Sequence, residues 1–214
     1  MPKTLFIISG LGADERMFQR LDFSGFNPIY LKWIKPKKNE TIANYATRLK
    51  EQITEEKPII FGLSLGGMMA VEIAKQIPTG KIILLSSIIN MKELPLLYRL
   101  SAFLSWHKLI PKQLYKQTNP FIHWLFGAKT LQDKKLLKEV LRDTDLDFVV
   151  WAIDEIINWK NQFVPKNLHR IHGTKDFLLP IKVSPPDFRI ENGSHLMVLN
   201  RAEEVSLALK SILN

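Results

Sequence analysis

The sequence predicts an α/β fold: a mostly parallel sheet of about six strands flanked by helices, with a helical cap inserted after the fourth strand. Three observations lead there. Short apolar runs alternate with segments of helical spacing from Thr4 to Ser87; the alternation stops between Ile88 and Val164; and it resumes at Leu168. Strands separated by helices imply crossover connections and hence parallel pairing, because a parallel pair needs a connection long enough to return to the same edge.

Taken in order, Thr4 to Ser9 is apolar, rich in β-formers and stopped by Gly10-Leu11-Gly12, which reads as a strand buried on both faces. A helix is expected near Asp14 to Leu21 with Asp14 as its cap. Asn27 to Trp33 reads as a second strand, and Ile42, Tyr45, Ala46, Leu49 and Ile53 recur at helical spacing. Pro58 to Phe61 reads as a third strand. It runs through Gly62-Leu63-Ser64-Leu65-Gly66-Gly67 into a helix that must end by the breaker Pro78-Thr79-Gly80. Lys81 to Ser87 is a fourth buried strand.

The next stretch carries helical periodicity only: Leu94 to Ser105, Leu131 to Leu141, and the face traced by Leu146, Val149, Val150, Ile153, Ile156 and Ile157. Strands return at Leu168 to His172 and Phe188 to Glu191. A last helix covers Ala202 to Leu213, with Asn200 and Glu203 at the spacing of a capping box. The expected organisation is an α/β core over residues 1–87 and 165–214, interrupted by a helical cap over 88–164.

Bulk properties narrow the function. At 214 residues the chain suits one domain with a sizeable core. It has no cysteine, which excludes disulfides, thiolate nucleophiles and thiolate metal sites. No apolar run is long enough to span a bilayer, and the start reaches Gly10 too early for a signal-peptide core, so a cytoplasmic protein is expected. The formal charge of +9 is spread over short clusters. Lys35, Lys37 and Lys38 share a loop, and Lys134, Lys135 and Lys138 lie opposite an apolar helix face, as on a solvated surface. Neither a nucleic-acid nor a membrane partner is expected. No metal-ligand spacing, Gly-x-Gly-x-x-Gly fingerprint or P-loop is present, so no cofactor or metal is expected either.

Gly62-x-Ser64-x-Gly66 carries the chemistry. A serine on a sharp strand-to-helix turn needs small neighbours, and the turn holds its hydroxyl above the end of the sheet, against the first amides of the helix. The plain alternative is a small residue filling a crowded junction. A nucleophilic serine needs a base, and five histidines are available. His107 and His123 lie beside tryptophans in the helical stretch. His169 and His172 lie on the fifth strand, where at most one end reaches the site. His195, in a glycine-containing loop between the last strand and the last helix, is best placed. Asp176, just after the fifth strand, can orient its imidazole; Asp187 is the alternative, but it precedes its strand and belongs to the other end of a parallel sheet.

With "SGLGADERMF", the elbow "GLSLGG", the acid motif "HGTKD" and the close "GSHLMVLNRAEEV", the chain resembles the α/β-hydrolase superfamily along nearly its whole length, most of all its small esterases and acyl hydrolases. That resemblance implies Ser64 as nucleophile, His195 as base, Asp176 as orienting acid, and the backbone N–H groups of Leu11 and Leu65 as an oxyanion hole. The implied substrate is a small acyl ester or thioester. Lyases and perhydrolases on the same three residues, and a non-catalytic ligand-binding protein, are the alternatives.

Two departures from the resembling families stand out. They commonly have His-Gly where this chain has Ser9-Gly10, and Gly-His-Ser where it has Gly62-Leu63-Ser64. What fixes the first loop is then a question for the structure. Phe103, Trp106, Phe121, Trp124, Phe126, Trp151 and Trp159 are expected mainly to fill the cap's own core, with some lining an acyl pocket.

Overall fold

The computed structural model describes residues 2–98, 100, 112–181 and 185–214. Its centre is a six-stranded sheet of β1 (Lys3–Ile8), β2 (Phe26–Leu31), β3 (Ile59–Leu63), β4 (Lys81–Leu85), β5 (Leu168–Gly173) and β6 (Phe188–Ile190). The strand order is β2-β1-β3-β4-β5-β6 and every neighbouring pair is parallel. The predicted sheet is therefore the observed one. One edge, β6, is three residues long; the other, β2, contains Pro28, which has no N–H to give.

Alternate strand residues divide between two apolar cores, as the two-residue period of a strand requires. Leu5, Ile7, Phe61, Leu63, Ile83, Leu85 and Ile171 face one side, where the C-terminal helix α7 (Ala202–Leu213) packs with Val205, Leu209 and Leu213. Phe6, Ile8, Ile60, Ile82 and Leu84 face the other, against α1 (Ile42–Leu49) and α2 (Leu65–Ala74). Each fully buried side chain of this size is worth about 1.5–3 kcal/mol against exposure, which explains why continuous apolar runs, with no polar face, marked these strands in the sequence.

Between β4 and β5 the described residues hold α3 (Pro120–Phe126), α4 (Leu131–Asp143) and α5 (Leu146–Asn158). Thr130 and Asp133 form a full capping box on α4, and Asp145 caps α5. Of the helix expected over Leu94 to Ser105, residues 96–98 and 100 are helical, and 99 and 101–105 lie outside the described residues, as do Phe103, Trp106 and His107.

Three expectations are corrected. The segment after Asp14 is a single 3-10 turn, Glu15–Phe18, although Asp14 does cap it by accepting the Arg16 amide at 3.0 Å. Asn200 and Glu203 form no capping box: Asn200 ends the short helix α6 (Met197–Asn200), and its Nδ2 donates to Gly127 O and Ser194 Oγ instead. Tertiary partners have taken the side chain that local spacing assigned to the helix. The tryptophans Trp151 and Trp159 fasten α5 and its end to the sheet's helices. Trp151 stacks on Tyr45 and donates to Glu40 O at 2.7 Å, and Trp159 donates to buried Glu72 Oε1 at 2.6 Å.

Candidate active site

Ser64 stands between the last residue of β3 and the first of α2, at φ 53° and ψ −117°. Positive φ is costly for a residue with a Cβ, and it persists only where the surroundings over-determine it. Here they do. Ser64 N donates to Leu85 O at 2.9 Å, Ser64 O accepts from the Ser87 hydroxyl at 2.6 Å, and Gly67 N closes the turn onto Ser64 O at 2.9 Å. The turn is possible because Gly66 lies directly against β1: a Cβ there would overlap the carbonyl oxygens of Ile8 and Ser9. Gly62 faces Gly66 in the same crowded way. The glycines that marked the turn in the sequence are demanded by close approach of backbone to backbone.

His195 lies in the loop before α6, and Asp176 follows the end of β5. His195 Nε2 is 3.0 Å from Ser64 Oγ, and His195 Nδ1 is 2.9 Å from Asp176 Oδ2. A carboxylate only accepts, so Nδ1 carries the proton and Nε2 of the neutral ring accepts from the serine hydroxyl. The sequence-selected residues Ser64, His195 and Asp176 are thus brought into one hydrogen-bonded chain, with the acid and the imidazole both 2% exposed. Asp187 lies elsewhere, accepting the amide of Arg170 at 2.7 Å.

Burial alone would favour the neutral acid at Asp176. The facing charge of His195 and hydrogen bonds from His172 and His195 outweigh it and hold the carboxyl well below the usual carboxylate range. Its Oδ1 also accepts the amides of Leu178 and Leu179 at 3.1 and 2.8 Å. A folded-state value below the unfolded one means the ionised group adds stability above about pH 4, and this is lost as pH falls through the lower folded value. The urea midpoint of the wild type should therefore fall more steeply than that of Asp176→Asn from about pH 4 downward; parallel profiles would refute the coupling.

Leu65 is the first residue of α2, so its amide has no acceptor within the helix and lies at the positive end of the helix dipole. The loop carrying Leu11 passes over Ser64: a Cβ added to Gly10 would sit 3.5 Å from Ser64 Cβ. Ser9 answers what fixes this loop. Its hydroxyl, 5% exposed, donates to Ala13 O at 2.8 Å and staples the loop across its base. Gly12, at φ +65°, lets the chain turn between these two points. Leu63, the second departure, is 1% exposed and belongs to the apolar core on the α7 side of the sheet.

The sequence reading missed several contacts. His172 Nε2 is 3.2 Å from Asp176 Oδ2 as well as 2.7 Å from Leu179 O. Phe126, at the end of α3, sets its ring edge-on to His195 at 5.6 Å and accepts the Leu196 amide on its carbonyl. Trp124 on the same helix stacks against Phe177, next to the acid, at 4.8 Å. A signal for His172 was present, since Arg170 and His172 share a strand face and Asp176 follows four residues on. A cavity of about 360 Å³ adjoins the Ser9 loop, with Ser9, Ala13, Trp33 and Phe148 in its wall, but neither Ser64 nor His195 lines it. Among the described residues no cluster of His, Asp and Glu has the geometry of a metal site, and no helix is long and apolar enough to cross a membrane.

Strand order, elbow and helix placement together are those of the α/β-hydrolase fold, and solved structures agree. A thermophilic esterase from Thermogutta terrifontis superposes with a TM-score of 0.75 at 14% identity, covering 99% of this chain and 89% of its own. A lipase-esterase related protein from Clostridium acetobutylicum gives 0.70 at 18% identity, covering 99% and 94%. An epoxide hydrolase from Bacillus megaterium gives 0.71 at 14% identity, covering 100% of this chain and 94% of its own. No protein-family model and no curated protein matches the chain by sequence.

Proposed function

We propose that this protein is a cofactor-independent serine hydrolase that cleaves a carboxylic ester or thioester of a small to medium acyl compound. The observation that carries the reading is the relay of 3.0 Å from Ser64 Oγ to His195 Nε2 and 2.9 Å from His195 Nδ1 to Asp176 Oδ2, mounted on a strained elbow. His195 takes the proton as Ser64 Oγ bonds to the carbonyl carbon. The oxyanion that forms is held by the N–H groups of Leu11 and Leu65, and Asp176 stabilises the imidazolium. His195 then protonates the departing alcohol or thiol, and a water activated by the same imidazole releases the acyl group. The esterase and lipase-esterase related neighbours support this chemistry by analogy of fold. The helical stretch 88–164 would act as the cap over the serine.

A fluorophosphonate probe tests it. Peptide mapping should find the phosphonyl group on Ser64 and on no other serine; folded protein left unlabelled would defeat the reading. An ester panel of graded acyl length then defines the substrate range.

The staple at Ser9 makes a separate prediction. Ser9→Ala leaves the Ala13 carbonyl without its buried donor and loosens the loop that presents the Leu11 amide. A kcat lowered about tenfold or more, with KM little changed, is expected for a weakened oxyanion donor. A change confined to KM would argue that the loop serves binding instead.

A further inference from the structure

Asp176 Oδ2 serves two imidazoles. His195 Nδ1 approaches it at 2.9 Å and His172 Nε2 at 3.2 Å, and the two rings are 2% and 3% exposed. Because the carboxylate and the Leu179 carbonyl are both acceptors, His172 must carry its proton on Nε2 and share it between them, with the shorter contact, 2.7 Å, to Leu179 O. Asp176 Oδ1 in turn takes the amides of Leu178 and Leu179. His172 therefore clasps the acid loop twice, by the side chain of residue 176 and the backbone of residue 179. It does so from β5, which is paired on both sides, to β4 and to β6.

This contact has an electrostatic side. Each N–H given to Oδ2 draws on the same negative charge, so a carboxylate with a second imidazole on it is a weaker partner for a protonated His195. Other charged or titratable groups face the cluster too. The hydroxyl of Tyr98 has its pKa raised by burial and by the charge of Asp176. Arg170, two residues before His172 on the same strand face, is paired with Glu93 at 3.0 and 3.1 Å. Arg170 and Glu93 compensate one another, and a tyrosine of raised pKa stays neutral near pH 7. The two histidines are left to compete for one carboxylate oxygen.

We propose that His172 is a positioning residue for the general base: through Asp176 it fixes the carboxylate and limits how strongly that carboxylate favours the protonated form of His195. The inference rests on the reading of Ser64, His195 and Asp176 as a catalytic relay. His172→Phe removes the donor, and His172→Gln restores an N–H near the place of Nε2. In His172→Phe, kcat should fall about tenfold, which corresponds to about 1.4 kcal/mol of lost transition-state stabilisation, with KM little changed. The acid limb of the kcat/KM profile should move up by about half a pH unit, since His195 then has the oxygen to itself. His172→Gln should stay close to wild type in both.

The same shift should appear without turnover, as the NMR titration of the His195 ring proton followed in Ser64→Ala and in Ser64→Ala with His172→Phe. That arm separates the two ideas: no hydrolysis by wild type at any pH defeats the hydrolase reading, whereas the titration alone judges His172. An unmoved or downward-shifted midpoint in the Phe variant, or equal kcat losses in Phe and Gln with no shift, would overturn the proposal. Should the Phe variant fail to fold, His172→Asn, whose amide is too short to reach Asp176, is expected to show the same upward shift.

Discussion

On the proposed mechanism, Ser64→Ala is expected to fold as the wild type does and to lose ester hydrolysis by at least about 10⁴-fold, the scale seen when a residue that forms the covalent intermediate is removed. The reasons are local. The hydroxyl carries no packing load in the elbow, because the turn is held by backbone groups of Ser64: its N–H on Leu85 O and its C=O on Ser87 Oγ. Alanine keeps those bonds and removes only the atom 3.0 Å from His195 Nε2. Two measurements check the expectation together, an unchanged urea midpoint and a loss of both turnover and phosphonyl labelling. Hydrolysis persisting in Ser64→Ala would mean that the chemistry lies elsewhere in the molecule.

The second large effect is on stability. Gly66→Ala adds one methyl group, and that methyl would fall on the carbonyl oxygens of Ile8 and Ser9. Neither can retreat cheaply, since β1 is paired with β2 on one side and β3 on the other, and Ser9 is tied forward to Ala13. A helix-favouring substitution that would ordinarily gain a fraction of a kcal/mol is here expected to cost on the order of 4 kcal/mol or more, the range reserved for overpacked or strained sites. A urea midpoint within error of the wild type would show that the elbow has slack. A large loss would tie the glycine to the approach of α2 on the strand that leads to the Leu11 loop.

What could be read in advance follows from the length scale of the signal. Parallel strands buried on both faces leave unbroken apolar runs, so β1, β3 and β4 were plain, and the amphipathic spacing of α1, α4 and α5 was equally so. The convergence of Ser64, Asp176 and His195 was legible because each sits at the same end of a parallel sheet, where strand direction brings the connecting loops together. Contacts decided by packing were not. Asn200 has the spacing of a cap, yet tertiary neighbours Gly127 and Ser194 claim it. Trp151 and Trp159 looked like filling for a separate cap and instead bind Glu40 and Glu72 on the core. His172 could be placed on a strand by pattern, but only folding brings its ring to the oxygen that His195 also uses. Ser9 was visible as a departure from a family habit, and its hydrogen bond to Ala13 gives that departure a mechanical meaning.

The two margins of the sheet bear on how copies of this molecule meet. A strand that ends a sheet offers a row of unused donors and acceptors, which a neighbour's strand can adopt to make one continuous ribbon. The β6 margin offers only three residues, and the β2 margin is broken by Pro28. Edge-to-edge joining is discouraged at both, so among the described residues the helix and loop faces, not the sheet margins, are the surfaces open to a neighbouring molecule.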